Sequence, residues 1–272
     1  MSDLCGAAPP VHVMSAFGIE GPVERLSGGQ GTSWRAGAHV LKPAGDEVEA
    51  AWLADTLARV DQDGYRLAQP ARAADGRWVV EGWTAARWVA GDPDPSGRWP
   101  ELLEASRSFH VAVRRVPRPG FLARRTHWWA EADRSAWDEI PPPAVPALRP
   151  LRADLVRLTA PVTEPSQLIH GDLCGNVLLH DSLPPAVIDV SPYWRPALLA
   201  DAIIVADGLL WRGEGNDLMQ AAGRAGEPSW VARGLLFRLD TMGHQLVHGD
   251  RATTDEELAP YDAALERLQQ SG

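Results

Sequence analysis

Three side chains in one short part of the chain have the types and spacing that phosphoryl transfer needs. The stretch reads His170-Gly171-Asp172-Leu173-Cys174-Gly175-Asn176-Val177-Leu178-Leu179. Leu168 and Ile169 lead into it, and a second apolar run, Ala186-Val187-Ile188, ends in Asp189. The pattern reads as a polar loop holding an Asp and an Asn, then a short hairpin whose far end presents another Asp. Phosphoryl transfer asks little covalent chemistry of a protein. It needs a carboxylate at the attacking hydroxyl and oxygen ligands for Mg²⁺, a hard cation usually held by one or two carboxylates plus phosphates. Asp172 is the candidate for the first task, and Asn176 and Asp189 for the second.

Lys42 is an independent signal. It is the only lysine in the chain, whose other basic side chains are arginines apart from histidine. It follows the glycine-rich run Ser27-Gly28-Gly29-Gln30-Gly31-Thr32-Ser33 and closes the apolar segment His39-Val40-Leu41. A loop whose backbone N–H groups approach phosphates, followed by a strand carrying one lysine, reads as a nucleotide cradle. Lysine offers a compact point charge there, where arginine would be a broad planar fork. Gly28, Gly29 and Gly31 are the candidate phosphate-cradling positions.

These segments resemble the aminoglycoside phosphotransferase-like, or choline-kinase-like, small-molecule kinases, whose pattern reads HGDLxxxN…IDxx. The resemblance implies an α+β, two-lobed protein-kinase-like fold. Its smaller N-terminal lobe would be an antiparallel sheet, expected over residues 1–83. The larger, mainly helical lobe would occupy residues 84–272. It further implies ATP and Mg²⁺ as cofactors and a small molecule bearing a hydroxyl as acceptor. Asp172 would orient or deprotonate that hydroxyl, Asn176 and Asp189 would bind Mg²⁺, and Lys42 would hold the α- and β-phosphates. A helix glutamate should pair with Lys42; Glu49 is the first choice and Glu47 the alternative. The lobe hinge is expected near Glu81–Thr84, so the backbone around Glu81 and Trp83 is expected to meet the adenine edge. Asp201, twelve residues after Asp189, would brace the loop. The chain departs from the pattern at one place: Cys174 and Gly175 stand where the family has three residues, so Asn176 lies one position nearer Asp172. An ATP-dependent O-phosphotransferase is therefore the first reading. A catalytically weak kinase-like regulator that binds a nucleotide or metabolite is the alternative.

The elements that must position these groups are legible in outline. Helices are expected around residues 11–17, 47–60, 99–113, 128–137, 148–158, from near Leu198, and over 229–247 and 255–268. Trp52, Leu53, Leu57 and Val60 fall at helical spacing, and Asp46 precedes them as an N-cap. Strands are expected around the glycine loop, over 23–26 and 33–42, and before Trp83. His248-Gly249-Asp250 repeats the letters of the motif, but it follows an apolar helix face and no Asn-plus-strand pattern succeeds it. Gly249 there reads as a helix C-cap, and this copy is assigned no chemistry. His110 and His170 are read as structural histidines.

Composition narrows the rest. A net charge of -10 argues against general nucleic-acid binding, which needs basic surface, and suits a cationic substrate. The acidic run Asp255-Glu256-Glu257 is better explained as a solvated helix start. No signal peptide is apparent, and no apolar run reaches spanning length, since Asp201 and Asp207 interrupt the longest. A cytoplasmic protein with no membrane partner is expected. Cys5 and Cys174 make no disulfide framework. Of the twelve tryptophans, most should be buried and one or two could stack on a ligand. Acceptor contacts are expected from residues 128–137 and the last two helices. The oligomeric state is not readable. The absence of HRD and DFG letters disfavours a protein kinase, and the missing GxxxxGK[ST] excludes a Walker-type kinase.

Overall fold

The computed structural model describes residues 6–27, 31–249 and 251–271. The expected Gly28 and Gly29 lie outside the described residues, as do Cys5 and Asp250. The N-terminal part begins with helix α1 (Val11–Ala16) and strands β1 (Val23–Arg25), β2 (Trp34–Ala36) and β3 (His39–Pro43). Helix α2 (Glu47–Leu57) follows, then β4 (Arg66–Leu67), β5 (Pro70–Ala71), β6 (Val79–Val80) and β7 (Trp83–Arg87). All but β4 form one antiparallel sheet in the order β1-β2-β3-β7-β5, with β6 pairing β7. Lys42 stands opposite Thr84 across the β3–β7 pair. Val13, Met14, Phe17, Leu41, Val80 and Trp83 close a small core against α1.

Helix α2 begins where the sequence says it should. The Asp46 side chain accepts a hydrogen bond from the Glu49 N–H at 2.9 Å, satisfying one of the donors that a helix start leaves open. The inter-lobe connection differs from expectation. Glu81 and Gly82 have φ of +48° and +77° and form the two-residue turn between β6 and β7. Positive φ at both central positions is the hairpin geometry that matches strand twist. Trp83 is fully buried in the small core. Neither residue is at a hinge: the sheet runs on through Arg87, past the expected boundary at 83/84.

The second lobe holds α3 (Trp99–Val113), α4 (Trp128–Ala136), α5 (Arg149–Leu158), β8 (Gln167–His170), β9 (Val177–Leu178), β10 (Ala186–Val187) and β11 (Pro192–Arg195). It ends with α6 (Ala197–Trp211), α7 (Asn216–Ala222), α8 (Pro228–His248) and α9 (Asp255–Ser271). The architecture is α+β, with an antiparallel sheet lobe and a larger helical lobe. β8 pairs β11, and β10 lies between β9 and the parallel β4. Helix α6 is apolar apart from Asp201 and Asp207 and is buried from Leu199 to Leu210. The acidic start of α9 is a capping box: Glu257 N–H bonds Thr254 Oγ1 at 3.3 Å, and Thr254 N–H bonds the Glu257 carboxylate at 3.0 Å. Gly249 is the C-cap of α8 as expected, though at φ −85° rather than in the left-handed region.

Helices α6 and α8 approach closely enough to need a residue without Cβ. A Cβ on Gly234 would lie 2.7 Å from the Ala202 carbonyl oxygen and 3.0 Å from its carbon. Gly234→Ala should therefore force the two helices apart and cost about 1–3 kcal/mol, the usual range for overpacking. Chemical denaturation measures this, and an unchanged midpoint would contradict the contact.

Candidate functional site

The 170–176 loop hangs between two short sheets. His170 ends β8, directly opposite Pro192 of β11. The chain then turns through a hydrogen bond from Asn176 N–H to the Leu173 carbonyl at 2.9 Å and enters β9. Gly171 is required by packing, because a Cβ there would sit 2.5 Å from the Tyr193 ring. Gly175 is required by conformation: its φ is +87°, and the space around it is open. The two-residue interval between Leu173 and Asn176 is closed by this left-handed turn. The Ile188 N–H donates to the Asn176 carbonyl at 2.9 Å, which brings the end of the β9–β10 hairpin beside the loop. Asp189 follows at φ +47°, an uncommon conformation for a non-glycine residue.

Lys42 reaches across the cleft and ion-pairs with Asp189 Oδ1. Burial opposes ionisation of Asp189, but the nearby ammonium outweighs it and holds the carboxyl below its usual range. Asp172, Asn176, Asp189 and Lys42 thus gather in one place although the lysine is remote in sequence. Asn176 Nδ2 donates to the Asp172 carbonyl at 2.7 Å and to its carboxylate at 3.3 Å. Among the described residues, Asn176 Oδ1 and the second oxygen of Asp189 take no hydrogen bond. Two hard oxygen donors on adjacent segments fit a cation that draws its other ligands from phosphates and water. Gly31, the described member of the glycine loop, lies at φ +64° with its carbonyl accepting from Arg25 Nε at 2.8 Å.

The expected Lys42–Glu49 pair is not made. Glu49 is instead gripped by Arg125, whose Nε lies 2.9 Å from one oxygen while Nη2 bonds the other. Arg125 also donates to the Pro192 carbonyl at 2.6 Å, so it ties α2 to β11. A bidentate guanidinium matches a carboxylate better than an ammonium does, and Asp189 holds the lysine.

A buried hydrogen-bond chain anchors the loop. His170 Nδ1 accepts from the N–H groups of Asp172 at 3.2 Å and Ser191 at 3.3 Å, so its proton sits on Nε2 and points at the Ile188 carbonyl. His110 Nε2 accepts from the His170 N–H at 3.0 Å, so its Nδ1 proton faces Ser106 Oγ at 3.2 Å. The Ser106 hydroxyl donates to Asp201 at 2.5 Å, and Arg107 Nε completes that carboxylate at 2.9 Å. Asp201 therefore braces the loop through α3, from a position one turn inside α6 rather than at its start.

Arg238 and Asp207 were not singled out from the sequence. Arg238 on α8 bonds both oxygens of Asp207, at 2.7 and 2.6 Å, and Asp172 Oδ1 at 2.8 Å. Burial disfavours the guanidinium charge, but the two carboxylates outweigh this and raise its pKa above the ordinary value. The available signal was Asp207 itself, an acid inside an otherwise apolar run. Trp211, at the end of α6, is 58% exposed, with Arg238 5.4 Å from its ring centre.

No protein-family model matches the chain, and no curated protein matches it significantly in sequence. Solved structures do match. A thermostable mutant of aminoglycoside phosphotransferase APH(4)-Ia, in ternary complex with ADP and hygromycin B, superposes with a TM-score of 0.61 at 16% identity, covering 96% of this chain and 97% of that one. The chain has the aminoglycoside phosphotransferase-like kinase fold. Choline kinase LicA from Streptococcus pneumoniae gives a TM-score of 0.54 at 11% identity over 94% of this chain and 96% of that one. A putative fructosamine-3-kinase from Thermobifida fusca YX-ER1 gives 0.53 at 19% over 94% and 97%. In this kinase-like fold no helix among the described residues is long and apolar enough to cross a membrane.

Two measurements check the supports of the loop. Burial lowers the pKa of His170 to about 4 and of His110 to about 3, against about 6.5 in an unfolded chain. The unfolded state therefore binds more protons below about pH 6.5. The contribution is complete above that pH, and stability is lost as pH falls toward 4, by about 1.4 kcal/mol per pH unit for each histidine. His110→Gln keeps the acceptor and donor without the titration, so it should flatten the slope of unfolding free energy by about that amount between pH 6.5 and 4.5. An unaltered slope would refute the neutral buried histidine.

Arg238→Met should cost about 3–5 kcal/mol, because it strands the buried Asp207 charge. The double variant Arg238→Met/Asp207→Leu should recover most of that loss. If urea unfolding shows the double variant no more stable than the single one, Arg238 does not act through Asp207.

Proposed function

We propose that the protein is an ATP-dependent O-phosphotransferase acting on a hydroxyl of a small molecule: an amino sugar, a sugar or an amino alcohol. The observation that carries this reading is the reach of Lys42 across the cleft to Asp189, beside Asn176 and Asp172. Four groups suited to one reaction meet there, drawn from both lobes. The fold shared with kinases of small molecules supports the same reading.

In this proposal Asp172 accepts a hydrogen bond from the acceptor hydroxyl and takes its proton as the new O–P bond forms and ADP leaves. Arg238, bonded to Asp172 Oδ1 at 2.8 Å, fixes the rotamer of Asp172, so the carboxylate acts by orienting the hydroxyl. Lys42 places its charge at the phosphates, and Gly31 belongs to the glycine-rich run proposed to bind them. Asn176 and Asp189 would hold Mg²⁺, which when bound neutralises phosphate charge. Glu49 serves by fixing α2 through Arg125. Trp211 offers a flat exposed face beside Arg238, suited to the apolar face of an acceptor ring.

A second reading, a nucleotide-binding regulator of low activity, draws on the engagement of Glu49 by Arg125 and of Lys42 by Asp189. Incubation with ATP, magnesium and a panel of hydroxyl metabolites separates the two: phosphorylated product supports the enzyme, and ATP binding without product on any acceptor supports the regulator.

For the enzyme, Asp172→Asn should lower phosphoryl transfer by ~10²–10⁴-fold while nucleotide binding persists. Asp189→Asn should abolish the magnesium dependence of nucleotide binding, and Lys42→Arg should not restore what Lys42→Ala loses. Calorimetric titration with and without magnesium, alongside turnover, tests this division. Identical behaviour of the two aspartate variants would overturn it.

A further inference from the structure

We propose that a cleft between α4 and β11 binds a small oxyanion, phosphate either free or carried on a metabolite. The cleft has a volume of about 180 Å³ and is lined by Arg118, Arg125, Arg134 and Arg195, with Asp133 and Tyr193 among its other walls. That is below the ~300 Å³ at which pockets for drug-sized ligands begin, and it suits an ion. None of Lys42, Asp172, Asn176 and Asp189 lines it; it shares with the site described above only the supporting residues Arg125 and Tyr193.

Two of its arginines are already neutralised. Arg195 forks onto Asp133 at 2.9 and 2.8 Å and reaches Glu139 at 2.6 Å. Arg125 is held by Glu49 and the Pro192 carbonyl. These bonds fix the walls, so little ordering remains to oppose binding. The other two arginines differ. Among the described residues, neither Arg118 nor Arg134 has a carboxylate within ion-pairing distance. Arg134 spends one Nη1 hydrogen on the Arg125 carbonyl at 2.9 Å, and its Nε is buried without a partner. An unmet buried donor is costly. Arg118 and Arg134 therefore bring to one cleft two guanidiniums that no carboxylate holds in an ion pair. A multiply charged oxyanion presents several acceptors at once, which is the geometry guanidinium groups match.

The test is calorimetric titration of the whole protein with inorganic phosphate at constant ionic strength, using chloride as the control anion. Saturable binding is expected, together with a rise in melting temperature. Arg118→Gln, at an exposed position, and Arg134→Gln should each weaken that binding by at least about tenfold, since a charge-assisted pair is worth about 1.5–3 kcal/mol. Lys42→Ala, which removes the other cation expected to seek phosphate, should leave it intact. Glycerol 3-phosphate distinguishes the two sources: equal affinity assigns the cleft to phosphorylated metabolites, and weaker affinity to the free ion. Absence of saturable binding overturns the proposal. So does binding that survives both arginine variants but is lost in Lys42→Ala.

Discussion

A chain of four side chains holds the 170–176 loop: Asp201, Ser106, His110 and His170. Each member has its donor or acceptor role fixed by the next, and the histidines are buried and neutral. Such a chain has one satisfied arrangement, because reversing any proton would leave a buried donor or acceptor unpaired. It joins α3 and α6 to the backbone N–H groups of Asp172 and Ser191, which both donate to His170 Nδ1. The position of the Asp172 carboxylate therefore follows from helix packing rather than from the loop alone. The close α6–α8 approach at Gly234 matters for the same reason, since α8 brings Arg238 to Asp172 from the other side.

Charge is managed in pairs across this structure, with arginine in nearly every role. Arg238 is shared between a buried aspartate and an accessible one. Arg125 joins the helix of the small lobe to a strand of the large one. The single lysine stands where a point charge meets Asp189. Breaking one partner of a buried pair costs more than the pair itself contributes, so these contacts specify a geometry even where their net stabilisation is small. In the proposed enzyme, opening of the Lys42–Asp189 contact would accompany entry of the nucleotide phosphates, which compete for the same ammonium.

Much of the site is written in local sequence. The loop motif is legible because its apolar flanks mark strands and its glycines mark turns. The shortened interval was visible in the sequence, and Gly175 at φ +87° makes the turn that closes it. The capping of α2 by Asp46 and the helical start at Asp255-Glu256-Glu257 were also readable, since caps depend on residues within a few positions. The bracing role of Asp201 was legible only through resemblance; nothing in its own neighbourhood names Ser106 as its partner.

The sequence by itself determined the element types, the polar loop with its hairpin, and the isolation of Lys42, because these depend on periodicity, turn residues and composition. Tertiary structure decided who meets whom. It gave Glu49 to Arg125 rather than Lys42, because a fork from residue 125 reaches both oxygens of that carboxylate. It placed Glu81 in a hairpin turn and Trp83 in the small core, because β7 extends to Arg87 and moves the connection downstream. It joined Arg238 to Asp172 and Asp207 over sequence separations of 66 and 31 residues. Such choices depend on distances and burial set by packed helices, which no local pattern encodes.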